Sequence, residues 1–214
     1  MSGRWKWNSL TGNSFFMPIR IRQKARTMDK IIQQRLSDHL EVLQMLMASD
    51  LPEKLEKCAK IVEQALAEGH KVLFCGNGGS AADSQHLAAE FVGRFQKERK
   101  GLPAIALTVD TSILTAVAND YGYDTVFARQ VQALGEAGDV LIGISTSGNS
   151  RNVLLAVEEA KTKGISCIGM TAEGGGKMAE ECDICLAVPA KVTARAQEMH
   201  ILMGHILCEL VDHE

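Results

Sequence analysis

Five short apolar runs, Lys71–Cys75, Pro103–Val109, Val140–Ile144, Ile165–Met170 and Ile184–Val188, alternate with helix-length periodic segments, and nothing else constrains the fold as much. Apolar runs of this length suit strands covered on both faces, and the intervening helices supply the cover. The pattern predicts a doubly wound α/β domain, flavodoxin-like, with a five-stranded parallel sheet and helices on both faces. Right-handed crossovers then put the loops after the strands along one edge, where ligands bind in such folds. From Asp29 to Gly69, two more periodic segments broken near Ser49-Asp50-Leu51-Pro52 predict N-terminal helices. Thr193–Val211 predicts a last helix that reaches the ligand edge or a neighbouring subunit.

Two of the strand-end loops carry chemistry. Val140–Ile144 empties into Ser145-Thr146-Ser147-Gly148-Asn149-Ser150 and then into a helical segment. Helix N-terminal N–H groups lack intrahelical partners and carry partial positive charge, and the hydroxyls add donors, so this loop suits a phosphate. The first run ends in Cys75-Gly76-Asn77-Gly78-Gly79-Ser80-Ala81, whose glycines let backbone approach a ligand closely. Gly76, Gly78 and Ala81 match the dinucleotide pattern G-x-G-x-x-A. The second run, however, ends at Asp110, farther along than the roughly 20 residues expected of a ribose-binding acid, and an Asn-Gly-Gly-Ser turn suits a sugar equally well. No G-K-[ST] is present, which excludes a P-loop.

His86 and Glu90, at i and i+4, share a helical face near the start of the following helix, either as a metal or substrate pair or as a solvated pair. In the last helix His205 falls about 20° from Glu198 and about 80° from Gln197 around the axis, so these can share a side. Met199, Ile201, Leu202 and Ile206 serve packing there. His200 reads as a surface residue, and His205 as a satisfied core histidine or a ligand. Asn119-Asp120-Tyr121-Gly122 ends a helical segment after the second run. Arg94 can pair with Glu90 or hold a substrate anion. Gly174-Gly175-Gly176 reads as a flexible turn.

Composition narrows the partners. With 23 Lys and Arg against 26 Asp and Glu in 214 residues, no global positive field recruits nucleic acid or an anionic membrane. No run approaches the ~18 apolar residues of a membrane span. Six scattered cysteines read as small core residues of a reduced, cytoplasmic protein. Residues 1–28 stand apart: Arg4, Lys6, Arg20, Arg22, Lys24 and Arg26, with Trp5 and Trp7, precede the first acid at Asp29. This reads as a poorly ordered basic extension, preceding one domain over 29–214, although its composition resembles a targeting peptide.

Cys75–Ser80, His86-x-x-x-Glu90, Asn119-Asp120-x-Gly122, Gly143–Ser150 and Thr193–Glu198 followed by His205 together resemble the sugar isomerase (SIS) domain of phosphoheptose isomerases, in family order from about Asp29 to the end. The resemblance implies conversion of sedoheptulose 7-phosphate to D-glycero-D-manno-heptose 7-phosphate, for the heptose of lipopolysaccharide, by a homotetramer with active sites between subunits. It implies Zn²⁺ held by His86, Glu90, Gln197 and His205, with Glu90 and His205 as the acid–base pair. It also implies phosphate contacts from Ser145, Thr146, Ser147 and Ser150, and further substrate positions at Asn77, Gly78, Gly79, Ser80, Arg94, Asn119, Asp120 and Gln197. Some family members carry an aspartate just before the Gln197 position, where this chain has Ala194 and Arg195. The residue types suit the reaction: a carboxylate and an imidazole can move protons between a carbon and neighbouring oxygens near neutral pH. Zinc-bound, either would be a weak base, so one must leave the ion or the metal is structural. The rival readings are a non-catalytic SIS relative that binds the replication initiator protein, an isomerase of another sugar phosphate, or a nucleotide-binding domain. A scaffold has no need to keep both Glu90 and His205.

Overall fold

The computed structural model describes the backbone of residues 19–212 and side chains from Thr27 onward. Residues 1–18, most of the basic leader, lie outside the described residues. The chain divides into a unit ending at Asp38 and a unit His39–Glu214, the division falling within the first helix, α1 (Ile19–Met47). Then come α2 (Leu51–Ala67), β1 (Val72–Gly76), α3 (Gly79–Val92), β2 (Ala104–Ala106), α4 (Thr111–Tyr121), α5 (Val126–Leu134) and β3 (Val140–Ile144). The order continues with α6 (Arg151–Thr162), β4 (Ser166–Thr171), α7 (Met178–Glu181), β5 (Ile184–Ala187) and α8 (Thr193–Asp212). The break expected near Pro52 separates α1 from α2, and Pro52 occupies the first turn of α2, where its missing N–H costs nothing.

All five strands are parallel, in the order β2-β1-β3-β4-β5. Connections leave β1 and β3 in opposite directions, so the crevice between their carboxyl ends is the topological switch point. Side chains alternate between two cores, as strand geometry dictates. Val72, Phe74, Ile142 and Ile144 pack with α2, α3 and α8, whereas Leu73, Cys75 and Leu141 pack with α5 and α6. Phe74 meets Phe91 of α3 edge to face, with ring centroids 5.8 Å apart. The second strand is shorter than its apolar run. The ladder with β1 stops at Ala106, and Asp110 begins α4 instead, its carboxylate accepting the Ile113 N–H at 2.9 Å.

No cysteine is paired. Burial pushes the thiols of Cys58, Cys167, Cys182 and Cys208 up to about 12, so they stay protonated and unreactive, as core residues should. Among the described residues no helix is long and apolar enough to cross a membrane.

Candidate active site

The loop after β3 folds back on itself through its own hydroxyls. Ser145, 3% exposed, brings its Oγ to 2.8 Å from Ser150 Oγ and 3.3 Å from Ser147 Oγ. Ser147 Oγ also accepts the Asn149 N–H at 3.1 Å. Ser150 is the N-cap of α6 yet makes no side-chain capping bond, because its hydroxyl faces Ser145. The helix therefore begins with donors open toward the crevice, a ready anion site. Thr146 is tied by its carbonyl, which accepts the Ala172 N–H at 3.0 Å.

Behind this loop lies a feature that reads from the sequence as a plain flexible turn. Gly174–Gly176 is a buttress. Gly148 has φ +63°, and a Cβ there would lie 1.9 Å from the Gly175 carbonyl oxygen, so backbone packs directly on backbone. Asn149 fastens the two loops: its Nδ2 donates to Ser147 O at 2.8 Å and its Oδ1 accepts the Lys177 N–H at 3.1 Å. The Met178 N–H closes onto Gly148 O at 3.1 Å.

On the other side of the switch point, β1 runs through Asn77 and the exposed Gly78 and Gly79 into α3, with Ser80 buried. Asn77 and Asn152 exchange amide hydrogen bonds at 2.9 and 2.8 Å and so lock the start of α3 to the start of α6. Asn152 is 4% exposed and carries no motif of its own; only its pairing across the crevice reveals it. Tyr123 Oη also donates to Asn77 Oδ1, at 3.4 Å.

His86 and Glu90 lie in the second half of α3 rather than at its start. They meet His205 of α8 because the two helices approach closely at Gly204, where a Cβ would lie 2.6 Å from Leu87 Cδ2. His86 Nε2 is 2.9 Å from His205 Nε2 and 3.3 Å from Glu90 Oε1, and Phe95 covers the His205 ring, with centroids 5.6 Å apart. One ligand atom from each of the three residues can be chosen so that all lie within 4.8 Å of one another. Two imidazole nitrogens facing a carboxylate are a donor set that Zn²⁺ takes, so the residues fit the metal. The Gln197 amide lies over Gly79 at the start of α3, where a Cβ would be 2.5 Å from its Nε2.

The remaining candidates stand apart from these clusters within the protomer. Arg94 pairs with Glu98 at 3.4 Å rather than with Glu90, with 59% of its side chain exposed. Asn119 Nδ2 donates to Asp120 Oδ1 at 2.8 Å at the exposed end of α4. His200 is fully buried, not a surface residue. Its Nε2 lies 2.9 Å from Thr171 O, which ties α8 to β4. Burial lowers its pKa, partly opposed by that hydrogen bond, and holds the ring neutral. Asp83, between Gly79 and His86 on α3, escaped the sequence reading altogether. Burial raises its carboxyl, partly countered by His86, and its Oδ2 is buried without a hydrogen-bond partner.

A parallel sheet of this order, with a hydroxyl loop and an amide pair flanking its switch point, defines the class: residues 37–172 match the SIS domain. Phosphoheptose isomerases of Akkermansia muciniphila and Aliarcobacter butzleri are 56% and 59% identical over 168 and 164 residues, which cover 78% and 77% of this chain and 87% of each relative. The phosphoheptose isomerase structure from Neisseria gonorrhoeae superposes with a TM-score of 0.83 at 44% identity, over 87% of this chain and all of that one. The chain belongs to the phosphoheptose isomerase family of SIS domains.

Proposed function

We propose that the Ser145–Ser150 loop holds the phosphate of an open-chain heptulose and presents its carbonyl end to Glu90 and His205. The protein is an aldose–ketose isomerase of heptose biosynthesis, interconverting sedoheptulose 7-phosphate and D-glycero-D-manno-heptose 7-phosphate. The observation that carries the residue assignment is the meeting of His86, Glu90 and His205 across two helices that are far apart in sequence.

In the ketose-to-aldose direction Glu90 takes a proton from C1 while His205 gives one to the C2 oxygen, leaving a C1–C2 enediol. Glu90 then returns its proton to C2 and His205 takes the proton of the C1 hydroxyl, so atoms and charge balance over the cycle. The hydroxyls of Ser145, Thr146, Ser147 and Ser150 and the N-terminal amides of α6 hold the dianion at a fixed point. Asn77, Gly78, Gly79, Ser80 and Gln197 line the path between that point and the cluster. Zinc, when held by His86, Glu90, Gln197 and His205, would polarise the C2 carbonyl, and Glu90 and His205 would have to leave the ion to move protons.

The working unit is a homotetramer in the cytoplasm whose sites lie between subunits, and its product feeds lipopolysaccharide assembly. Two features support the assembly. Leu40, Met45 and Met47 expose 53%, 46% and 68% of their surface, and Arg94, Asn119 and Asp120 are exposed outside both clusters. Residues 1–28 precede the catalytic domain as a basic extension.

A coupled assay with sedoheptulose 7-phosphate tests the reading. Aldose 7-phosphate should accumulate, and should not with Glu90→Gln or His205→Ala; full activity in either variant removes that residue's assignment. Light scattering reads the assembly, with a monomer mass excluding shared sites.

A further inference from the structure

Arg99, in the segment between α3 and β2, forms an ion pair with Asp212 at the end of α8 that has no part in the chemistry above. Arg99 Nε donates to Asp212 Oδ1, and its Nη1 and Nη2 donate to the carbonyls of Phe91 and Glu90 at 2.9 and 3.2 Å. The other carboxylate oxygen, Asp212 Oδ2, accepts the backbone N–H groups of Gln96 at 2.8 Å and Lys97 at 3.2 Å. The Asp212 side chain is 2% exposed and that of Arg99 18%. Burial works against the carboxylate charge, but hydrogen bonds from Arg99 and the two amides outweigh it and hold the Asp212 pKa below its ordinary value.

The contacts fall at two places that matter for the cluster. Arg99 caps the last turn of α3, donating to the carbonyl of Glu90 itself and sharing that of Phe91 with the Leu102 N–H, which donates to it at 3.0 Å. Asp212 closes α8 about two turns beyond His205. Gly204 against Leu87 sets how near the two helices come. That contact leaves open how far one slides along the other, and the fork from Arg99 to both helix ends fixes the slide. Burying an ion pair is a weak route to stability, and its best-attested use is to enforce one register over its neighbours.

We propose that Arg99 and Asp212 are positioning residues that set the register of α3 against α8, and with it the spacing of His86 and Glu90 from His205. The inference rests on the reading of that cluster as the zinc and proton-transfer site. Neither residue touches substrate.

The test compares the full-length wild type with Arg99→Lys, which keeps the charge but loses the fork, and with the double variant Arg99→Met/Asp212→Leu, which replaces the pair by apolar volume. Zinc affinity is read by chelator competition, kcat and KM with sedoheptulose 7-phosphate, thermal midpoint by calorimetry, and the ring resonances of His86 and His205 by NMR without metal. Zinc affinity should weaken about 10- to 100-fold in both variants, as it does when groups orienting metal ligands are lost. A similar fall in kcat should accompany it, from misplacement on the order of 1 Å, with KM within about threefold. The histidine resonances should move while the double variant keeps most of its thermal midpoint.

Wild-type zinc affinity, kcat and ring resonances in either variant would overturn the proposal, and Arg99→Lys alone decides it if the double variant does not fold. Parallel losses in midpoint, kcat and KM with unmoved resonances would also overturn it, since they describe a merely structural pair. A wild type that binds no zinc or does not turn over the heptulose phosphate breaks the reading of the site instead. The register is then judged by the resonances, which need neither.

Discussion

The hydroxyl loop stands at the carboxyl end of β3, whereas the His–Glu–His cluster lies along α3, the helix that follows β1, and the two are held by opposite means. Ser145, Ser147 and Ser150 come from one six-residue turn, bond to one another, and rest on the backbone of Gly175 and Gly176. His86 and His205 are 119 residues apart and meet only where α3 crosses α8, with 48% of the His86 side chain still exposed. A loop satisfied within itself is in place before the ligand arrives, and loses little freedom when it binds. A cluster assembled by helix packing is only as exact as that packing. Substrate affinity should therefore follow the loop, and turnover the cluster.

The largest effect expected is on turnover. Glu90→Gln keeps the shape of the side chain but removes the base, so kcat should fall about 10²- to 10⁴-fold with KM nearly unchanged in steady-state assays. A rise in KM instead would break the division between the two halves. Gly148→Ala comes next, because φ +63° and the Gly175 oxygen leave no room for a methyl group. Strain and overpacking together should cost about 3 kcal/mol. By calorimetry the midpoint should drop roughly 6–12 °C, with weaker substrate binding and little change in the histidine resonances.

Ser145→Ala removes the hydroxyl shared by Ser147 and Ser150. At about 1–2 kcal/mol for such hydrogen bonds, KM should rise roughly 5- to 30-fold while zinc affinity stays put. A loss of zinc affinity would show that the two halves are not independent. The smallest effect is in acid. Because burial lowers the folded-state pKa of His200, its contribution is present above the ordinary histidine value near 6.5 and is lost as pH falls from there toward the folded value. Melting curves between pH 7.5 and 5.5 should fall more steeply for wild type than for His200→Gln. Equal slopes would show that burial does not depress the His200 pKa.

How much of this was legible along the chain follows from how far each signal reaches. β1, β3, β4 and β5 follow their apolar runs closely, because a strand buried on both faces must be apolar throughout. β2 stops three residues before Val109, since at the edge nothing but β1 holds it in the ladder. The hydroxyl loop was readable because one short turn contains all its donors. His200 was misjudged for the opposite reason: its helix is apolar on several sides, and which side faces β4 depends on how α8 docks.

By itself, then, the amino-acid sequence determined the doubly wound sheet, the anion loop on β3 and the His86/Glu90 pair on one helical face, because periodicity, turn chemistry and i, i+4 spacing act within a few residues. Only the tertiary structure decided that His205 completes that pair, that Asn152 answers Asn77, that the triple glycine backs the Ser145–Ser150 loop, and that Arg99 and Asp212 join the ends of α3 and α8. Each of these contacts joins residues that are distant in sequence. Its distance is set by the packing of whole helices and loops, and no local pattern encodes a helix's slide or rotation against its neighbour.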